Sequence, residues 1–255
     1  MSKKITIIIA TYNASSTLKR CLDSLLVQKT SECELVIIDG GSSDSTVEII
    51  KSFGDEVDVF ISEPDDGIYD AWNKGIKASQ GNWIMFIGAD DQLFPNALSN
   101  YLNLLSSSKV DAKVDYICGK NMLLDDNGNV LKIFGESPNW NRLKKNMVAA
   151  HVGSLHNRRS LFSNVDPFNT KFKICADYEL LLSKGKNLSF YFYPVQIAKM
   201  TAGGMSFSLK AIYETFIIRR DLKSLPAITN VFITLLNIIA FYAFLIRKRV
   251  LGFKI

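Results

Sequence analysis

The 255-residue chain is poor in the groups that build compact metal and redox sites, with two histidines and four cysteines. Cys21, Cys33, Cys118 and Cys175 are scattered, and no C-x-x-C pair occurs, so neither a zinc site nor a disulfide framework is indicated. Thiols spaced this way suit a reducing compartment. His151 and His156 stand five apart and do not make a metal site by themselves. No G-x-G-x-x-G follows the first apolar run and no G-x-x-x-x-G-K-[ST] occurs, which excludes the common glycine-based cradles for dinucleotides and nucleoside triphosphates. A nucleotide would have to be held by side chains and a metal. The start, Met-Ser-Lys-Lys before an apolar run, is too short for a signal peptide and lacks a cleavage pattern. Internal repeats and low-complexity segments are missing too.

Charge of one sign is also scarce over most of the chain. The net +5 suggests nucleic acid until it is located. From Met205 onward, eight Lys or Arg stand against Glu214 and Asp221, so the first 204 residues are close to neutral. No nucleic-acid surface is expected. With 47% apolar and 22% charged residues, the chain has the composition of a globular protein with a full core.

What is present is an alternation of apolar runs and amphipathic stretches. Residues 5–10, 34–38, 57–61 and 83–87 read as strands, the first and last apolar enough to be buried on both faces. Between them lie helical patterns. Ser15 or Ser16 is placed to cap the first, which carries Leu18, Leu22, Leu25 and Leu26, and Ser43 or Asp44 to cap the second. This is an α/β chain with a mostly parallel sheet and right-handed crossovers. The loops after all four strands then open on one rim, which gathers Tyr12, Asp39, Asp66 and Asp91. Further along, residues 116–124 and 130–134 read as a hairpin, 176–182 as a helix, and 190–193 and 195–200 as strands.

The stretch Ile84-Met-Phe-Ile-Gly-Ala-Asp-Asp91 ends a buried strand on two adjacent carboxylates, before Leu93-Phe94-Pro95 opens a helix with proline in its first turn. Hard oxygen ligands at that place suit Mg²⁺ or Mn²⁺ on a substrate's phosphates. A turn that caps the next helix accounts for the same residues. Tyr12 offers a face for a base, and Asp39 can accept from a base N–H or a ribose hydroxyl.

Four segments in order, Ile-Ile-Ala-Thr-Tyr-Asn13, Val-Ile-Ile-Asp-Gly-Gly-Ser-Ser-Asp-Ser-Thr46, Glu63-Pro-Asp-Asp-Gly-Ile-Tyr-Asp-Ala-Trp-Asn-Lys-Gly75 and Gly88-Ala-Asp-Asp91, resemble glycosyltransferase family 2. The resemblance spans about residues 4–205 and implies a GT-A fold, Rossmann-like with helices flanking the sheet. It further implies inverting transfer from a nucleotide-diphosphate sugar, most often UDP-linked, with Mn²⁺ or Mg²⁺. Carried over by position, it implies donor contacts by Thr11, Tyr12, Asn13, Asp39 and Asp66, with Asp70 and Asn73 in support. Asp91 falls on the metal-binding carboxylate with Asp90 beside it. The family's first aspartate of that motif is Gly88 here. In Ala176-Asp177-Tyr178-Glu179, Asp177 falls on the catalytic base and alanine replaces a glutamate; a helix cap also fits Asp177. The resemblance lets His151 meet acceptor or leaving diphosphate and Arg158 meet a lipid phosphate, with His156 structural. Gly203-Gly204 is either a closing loop or a linker.

Residues 206–255 form a separate basic and apolar tail on this reading, after a transferase domain over 1–205. Ala227 to Ile246 is a nearly continuous apolar run followed by Arg247-Lys248-Arg249, at the length threshold for spanning a bilayer. A buried terminal helix is the alternative to membrane contact. The motif form resembles enzymes that extend a lipid-linked (undecaprenyl-diphosphate) saccharide acceptor for O-antigen or other surface polysaccharide, at the cytoplasmic face of the bacterial inner membrane. A polyprenyl-phosphate sugar synthase and a silent nucleotide-sugar-binding subunit are the competing expectations.

Overall fold

The computed structural model describes residues 3–125, 127–164 and 166–251. Its first half follows the apolar alternation. β1 (Ile5–Thr11), α1 (Leu18–Leu26), β2 (Cys33–Asp39), α2 (Thr46–Ser52), β3 (Val59–Ser62), α3 (Ile68–Ala78) and β4 (Trp83–Gly88) alternate in order. β1 lies between β2 and β4 and pairs parallel with both, while β3 pairs parallel with β2. β1 and β2 are apolar on both faces because helices cover both. Ile7 and Ile9 face one cluster with α1, and Ile8 faces the other with α3. At Gly75 a Cβ would stand 2.6 Å from Ile8 Cγ2, so α3 rests directly on β1.

The second half adds β5 (Gln92–Leu93), α4 (Ala97–Ser106), β6 (Tyr116–Leu124), β7 (Val130–Phe134), α5 (Trp140–Leu143), β8 (Leu155–Asn157), α6 (Arg158–Leu161), α7 (Ala176–Ser183) and β9 (Phe190–Thr201). The sheet order is β3-β2-β1-β4-β8-β6-β9-β5, with β7 beside β6. β8 is antiparallel to β4 and β6, so the sheet is mixed beyond β4. β5 follows β4 closely in sequence yet pairs with β9 at the far end, so the sheet curls on itself.

Two local expectations change. Leu93 is in β5, not in a helix, because Gln92 and Leu93 find strand partners in Lys199 and Ala198. α4 begins only after Pro95, with Asn96 left-handed at φ 65°. The two stretches 190–193 and 195–200 are one strand, β9, whose pairing to β6 shifts register beside Pro194. The expected caps also differ: Thr17 and Ser45 precede α1 and α2, and Asp44 accepts from the Thr46 N–H at 3.0 Å.

The tail divides in two. α8 (Leu209–Asp221) buries Ala211, Glu214, Ile218 and Arg219, and Ile218 joins the α3-side cluster. α9 (Ala227–Leu251) is tied to α8 by Arg219 Nη2 to Thr234 Oγ1 (2.9 Å) and Asn230 Nδ2 to the Phe216 carbonyl (3.1 Å). Ala227–Ile246 is long and apolar enough to cross a membrane, with mean hydropathy 2.0. Ile228, Phe232 and Ile239 are exposed, so α9 is not buried within this chain. The side chains of Arg247, Lys248 and Arg249 lie outside the described residues.

Arg158 is placed where no phosphate role is open to it. β8 runs against β4, which carries Arg158 to the start of that strand, beside Asn82. Its Nε donates to the Gly81 carbonyl at 2.7 Å and its Nη2 to the Ser79 carbonyl at 2.7 Å, with the Ile76 carbonyl at 3.3 Å. The guanidinium thus satisfies the carbonyl end of α3, where a cation is favoured. β4 separates it from the rim by roughly 17 Å, at the usual strand rise. Arg158→Ala should cost about 3 kcal/mol of stability, since several hydrogen bonds to a charged donor are lost. Urea titration measures this.

Candidate active site

Register builds the rim. Thr11 pairs with Asp39, Asp39 with Ser62, and Ala10 with Gly88, so the ends of four parallel strands lie level. Tyr12, next along, is 67% exposed with its ring open to solvent. Asn13, left-handed at φ 47°, joins two loops: its N–H donates to Ser42 Oγ (2.8 Å) and its Oδ1 accepts from the Ser43 N–H (2.9 Å).

Asp39 occupies the expected position but has no lone pair to spare. Its carboxylate accepts from the Gly41 and Ser42 N–H groups and from the Thr11, Ser42 and Ser62 hydroxyls. Five donors fill the roughly four acceptor sites of a carboxylate. Burial pushes its pKa up, yet these bonds outweigh it and hold it below the ordinary value. Asp39 therefore orders the rim in this state.

Asp66 is exposed, and its backbone carries the contacts: its N–H donates to Asp70 Oδ2 (3.2 Å) and its carbonyl accepts from Lys173 Nζ (2.7 Å). Its neighbour Asp65, not singled out in the sequence, is the inward one. Asp65 Oδ2 lies 2.6 Å from where a Gly40 Cβ would be. Asp70 also faces Lys74, which donates to the Pro64 carbonyl at 2.9 Å, so Asp70 braces this loop. Asn73 is buried and makes a reciprocal pair with the Phe168 backbone, at 2.8 and 3.0 Å.

At the end of β4, Asp90 is exposed and Asp91 is 4% exposed. A Cβ on Gly88 would stand 2.7 Å from Asp91 Oδ2 and 2.8 Å from Asp90 Oδ1, so two carboxylates converge over this glycine. The Gly88 N–H donates to Asp91's carboxylate at 3.1 Å. Burial and then the charge of Asp90 push Asp91 up to about 8, against weaker pulls from the Gly88 N–H and Arg20. Among the described residues no three acidic, histidine or cysteine side chains gather around one point. The pair nevertheless fits a hard divalent cation, because Mg²⁺-type sites take one or two carboxylates and draw the rest from water and phosphate.

Beneath β4 lies the second centre. Asp177, in the first turn of α7, receives the Tyr69 hydroxyl at 2.9 Å, and that hydroxyl also lies 2.6 Å from the Ile174 carbonyl. Burial raises the Asp177 pKa, partly offset by the Tyr69 bond. His151 Nδ1 is 3.7 Å from Asp177 Oδ2. The His151 ring stacks on Phe86 (5.6 Å) and Trp72 (5.1 Å), and Phe86 is two residues before Gly88. Asp177 therefore sits under the strand whose end carries the acid pair. Burial drives the His151 pKa down to about 3, leaving a neutral ring. Both its nitrogens are shielded and unpaired, so it does not offer a cation to a diphosphate. His156 is fully buried, with Nδ1 at 3.1 Å from the Ile84 carbonyl. Tyr69 was missed in the sequence, although it stands inside the third quoted segment.

The sign of the Asp91 effect is testable. An unfolded aspartate loses its proton near pH 4, whereas folded Asp91 holds it to about 8. Its contribution to stability is present below the unfolded pKa and is lost as pH rises through about 8. Asp91→Asn is nearly isosteric and uncharged. With a chelator present, it should resist urea better than the parent at about pH 9, and show no such advantage near pH 4.

Comparison with known proteins agrees with this fold. Residues 6–165 match the family model described as Glycosyl transferase family 2. A PGL/p-HBAD biosynthesis glycosyltransferase of Mycobacterium bovis is 28% identical over 241 residues, covering 92% of this chain and 88% of that protein. The Staphylococcus aureus TarS fragment 1–349 in complex with UDP-GlcNAc has a TM-score of 0.69 at 18% identity, covering 91% of this chain and 70% of that one. The mannosyltransferase PcManGT from Pyrobaculum calidifontis, in complex with GDP-Man and Mn²⁺, has a TM-score of 0.63 at 15% identity, covering 99% and 81%. With the family model covering well over half its length, the chain belongs to glycosyl transferase family 2 and is a glycosyltransferase of GT-A fold.

Proposed function

We propose that this enzyme transfers a hexose or N-acetylhexosamine, with inversion, from a UDP-linked donor to a hydroxyl of a lipid-linked saccharide. The observation that supports this best is Asp177, a partly buried carboxylate whose desolvation raises its pKa, bonded to Tyr69 beneath the strand that ends in Asp90 and Asp91. An acceptor hydroxyl attacks well only as its proton leaves. Asp177 accepts that proton, and its raised pKa makes it a stronger base than an exposed aspartate. The Tyr69 hydroxyl holds the carboxylate in place, and the neutral His151 ring packs beside it. At the rim, Tyr12 takes the base, and the hydroxyls of Thr11, Ser42 and Ser62 around Asp39 take the base edge or ribose. Asp65 and Asp70 shape the donor loop. Asp91, with Asp90, would hold Mn²⁺ or Mg²⁺, which supplies positive charge to the departing nucleoside diphosphate.

Asp177 also favours a sugar hydroxyl over a lipid phosphate as acceptor. A phosphate is already ionised at neutral pH and needs no base, so a polyprenyl-phosphate sugar synthase leaves this carboxylate without work. For the lipid on the acceptor, the support is α9, whose exposed apolar length suits the cytoplasmic face of the inner membrane and the following cations its anionic headgroups. O-antigen or related surface polysaccharide is the assignment this suggests.

Radiolabelled UDP-GlcNAc and other UDP-, GDP- and dTDP-sugars, given with a GlcNAc-diphosphate-lipid analogue, test the reaction. A product carrying a new glycosidic bond supports it, and a sugar–phosphate product overturns it. Asp177→Asn should lower kcat by about 10²–10⁴-fold, the usual worth of a general base, with the donor KM unchanged. Asp91→Ala should abolish the heat of Mn²⁺ binding in the presence of UDP. Full turnover by Asp177→Asn would place the base elsewhere.

A further inference from the structure

We infer that Glu214, on tail helix α8, is a positioning residue for Asp177, so that α8 builds the acceptor side of the site and is more than a tether. This rests on Asp177 being the base. Glu214 is 6% exposed, and its carboxylate accepts from three consecutive backbone N–H groups: Lys173 at 3.0 Å, Ile174 at 2.9 Å and Cys175 at 3.0 Å. These residues lead into the first turn of α7, which carries Asp177. These N–H groups lie just ahead of the α7 ladder, at its N-cap and the two residues before it, and their partner comes from a different helix. On the other side of the same segment, Tyr69 binds both the Ile174 carbonyl and Asp177. Lys173 reaches across to the Asp66 carbonyl of the donor loop.

The segment 173–177 is thus gripped by α8 from one side and α3 from the other. Glu214 fixes the peptide whose carbonyl orients Tyr69, and Tyr69 orients the base. Removing the grip orphans three N–H groups at once and lets α7 swing its first turn. A glutamine cannot replace it, because one end of its amide would turn N–H donors toward N–H donors. α8 is in turn held to α9 through Arg219 and Asn230, so four hydrogen-bonded links connect α9 to Asp177. Nothing in the local sequence of the tail marks this role except an acid on the buried face shared by Ala211 and Ile218.

The test compares kinetics of the full-length enzyme in two backgrounds. Glu214→Gln should lower kcat by about 10²-fold, the scale of a misplaced catalytic group, with donor KM and UDP affinity unchanged. In the Asp177→Asn background the same substitution should cost nothing further, because a residue acting through Asp177 has nothing left to position. A purely structural role would lower the rate equally in both backgrounds and would overturn the inference. So would full kcat in Glu214→Gln beside an inactive Asp177→Asn. Turnover by Asp177→Asn would remove the base reading and this inference together. Glu214→Asp, which keeps both oxygens but retracts them by a methylene, carries the same comparison where Glu214→Gln does not fold.

Discussion

Parallel pairing of β1 with β2 on one side and β4 on the other governs the site, because it makes strand ends level. Side chains that close those strands are then neighbours without any loop having to search for them. Thr11, Asp39 and Ser62 meet as a row of register partners, and the hydroxyls settle on one carboxylate. The strands can be apolar throughout because helices cover both faces, and this leaves polarity nowhere to go but the ends. The lower end takes the same logic. Thr6 and Glu34 bond each other at 2.6 Å inside the core, and Arg158 closes α3 beside them. One end is satisfied internally. The other brings two carboxylates together at a single glycine.

That difference carries the chemistry. A buried, hydrogen-bonded acid with its partners filled, such as Asp39, drops in pKa and acts as a fastener. Asp91, buried, and Asp177, partly buried, have fewer donors and rise instead. Desolvation pushes all three up; five donors reverse it at Asp39, the charge of Asp90 adds to it at Asp91, and the Tyr69 bond only partly offsets it at Asp177. Each rise is a cost to the ionised folded state, which a bound cation at Asp91 or a proton at Asp177 removes. Perturbed acids of this kind cluster at functional sites for that reason.

How much of the fold and site is legible in the sequence depends on range. The first four strands, their helices and the rim can be read because each signal is local: an apolar run, then a polar turn. The curl of the sheet cannot, since β5 owes its strand form to Lys199 and Ala198, a hundred residues away. Arg158 reads as a phosphate ligand because an arginine after a histidine segment carries no mark of direction; only the antiparallel sense of β8 sends it to the opposite edge. Asp66 is preferred to Asp65 because adjacent acids look alike in a string, whereas a loop turns one inward. Tyr69 and Glu214 act through hydrogen bonds spanning 108 and 39 to 41 positions. No window of sequence contains both ends of such a bond.

The two departures from the family pattern have a physical cause. At Gly88, any side chain begins with a Cβ pressed to within 2.8 Å of oxygens from both Asp90 and Asp91. An aspartate there would have to push the pair apart, so glycine is what allows adjacent acids to converge. At position 176 the side chain is fully buried in the α3-side apolar cluster. A glutamate in that place would need a partner that the cluster does not hold, and its charge would press on Asp177 next to it. Alanine avoids both costs. The carboxylate that serves the start of α7 comes from Glu214 instead, from a helix that the motif never reaches. The two small residues thus belong to a rearranged set of acids, and their presence does not argue for a silent subunit.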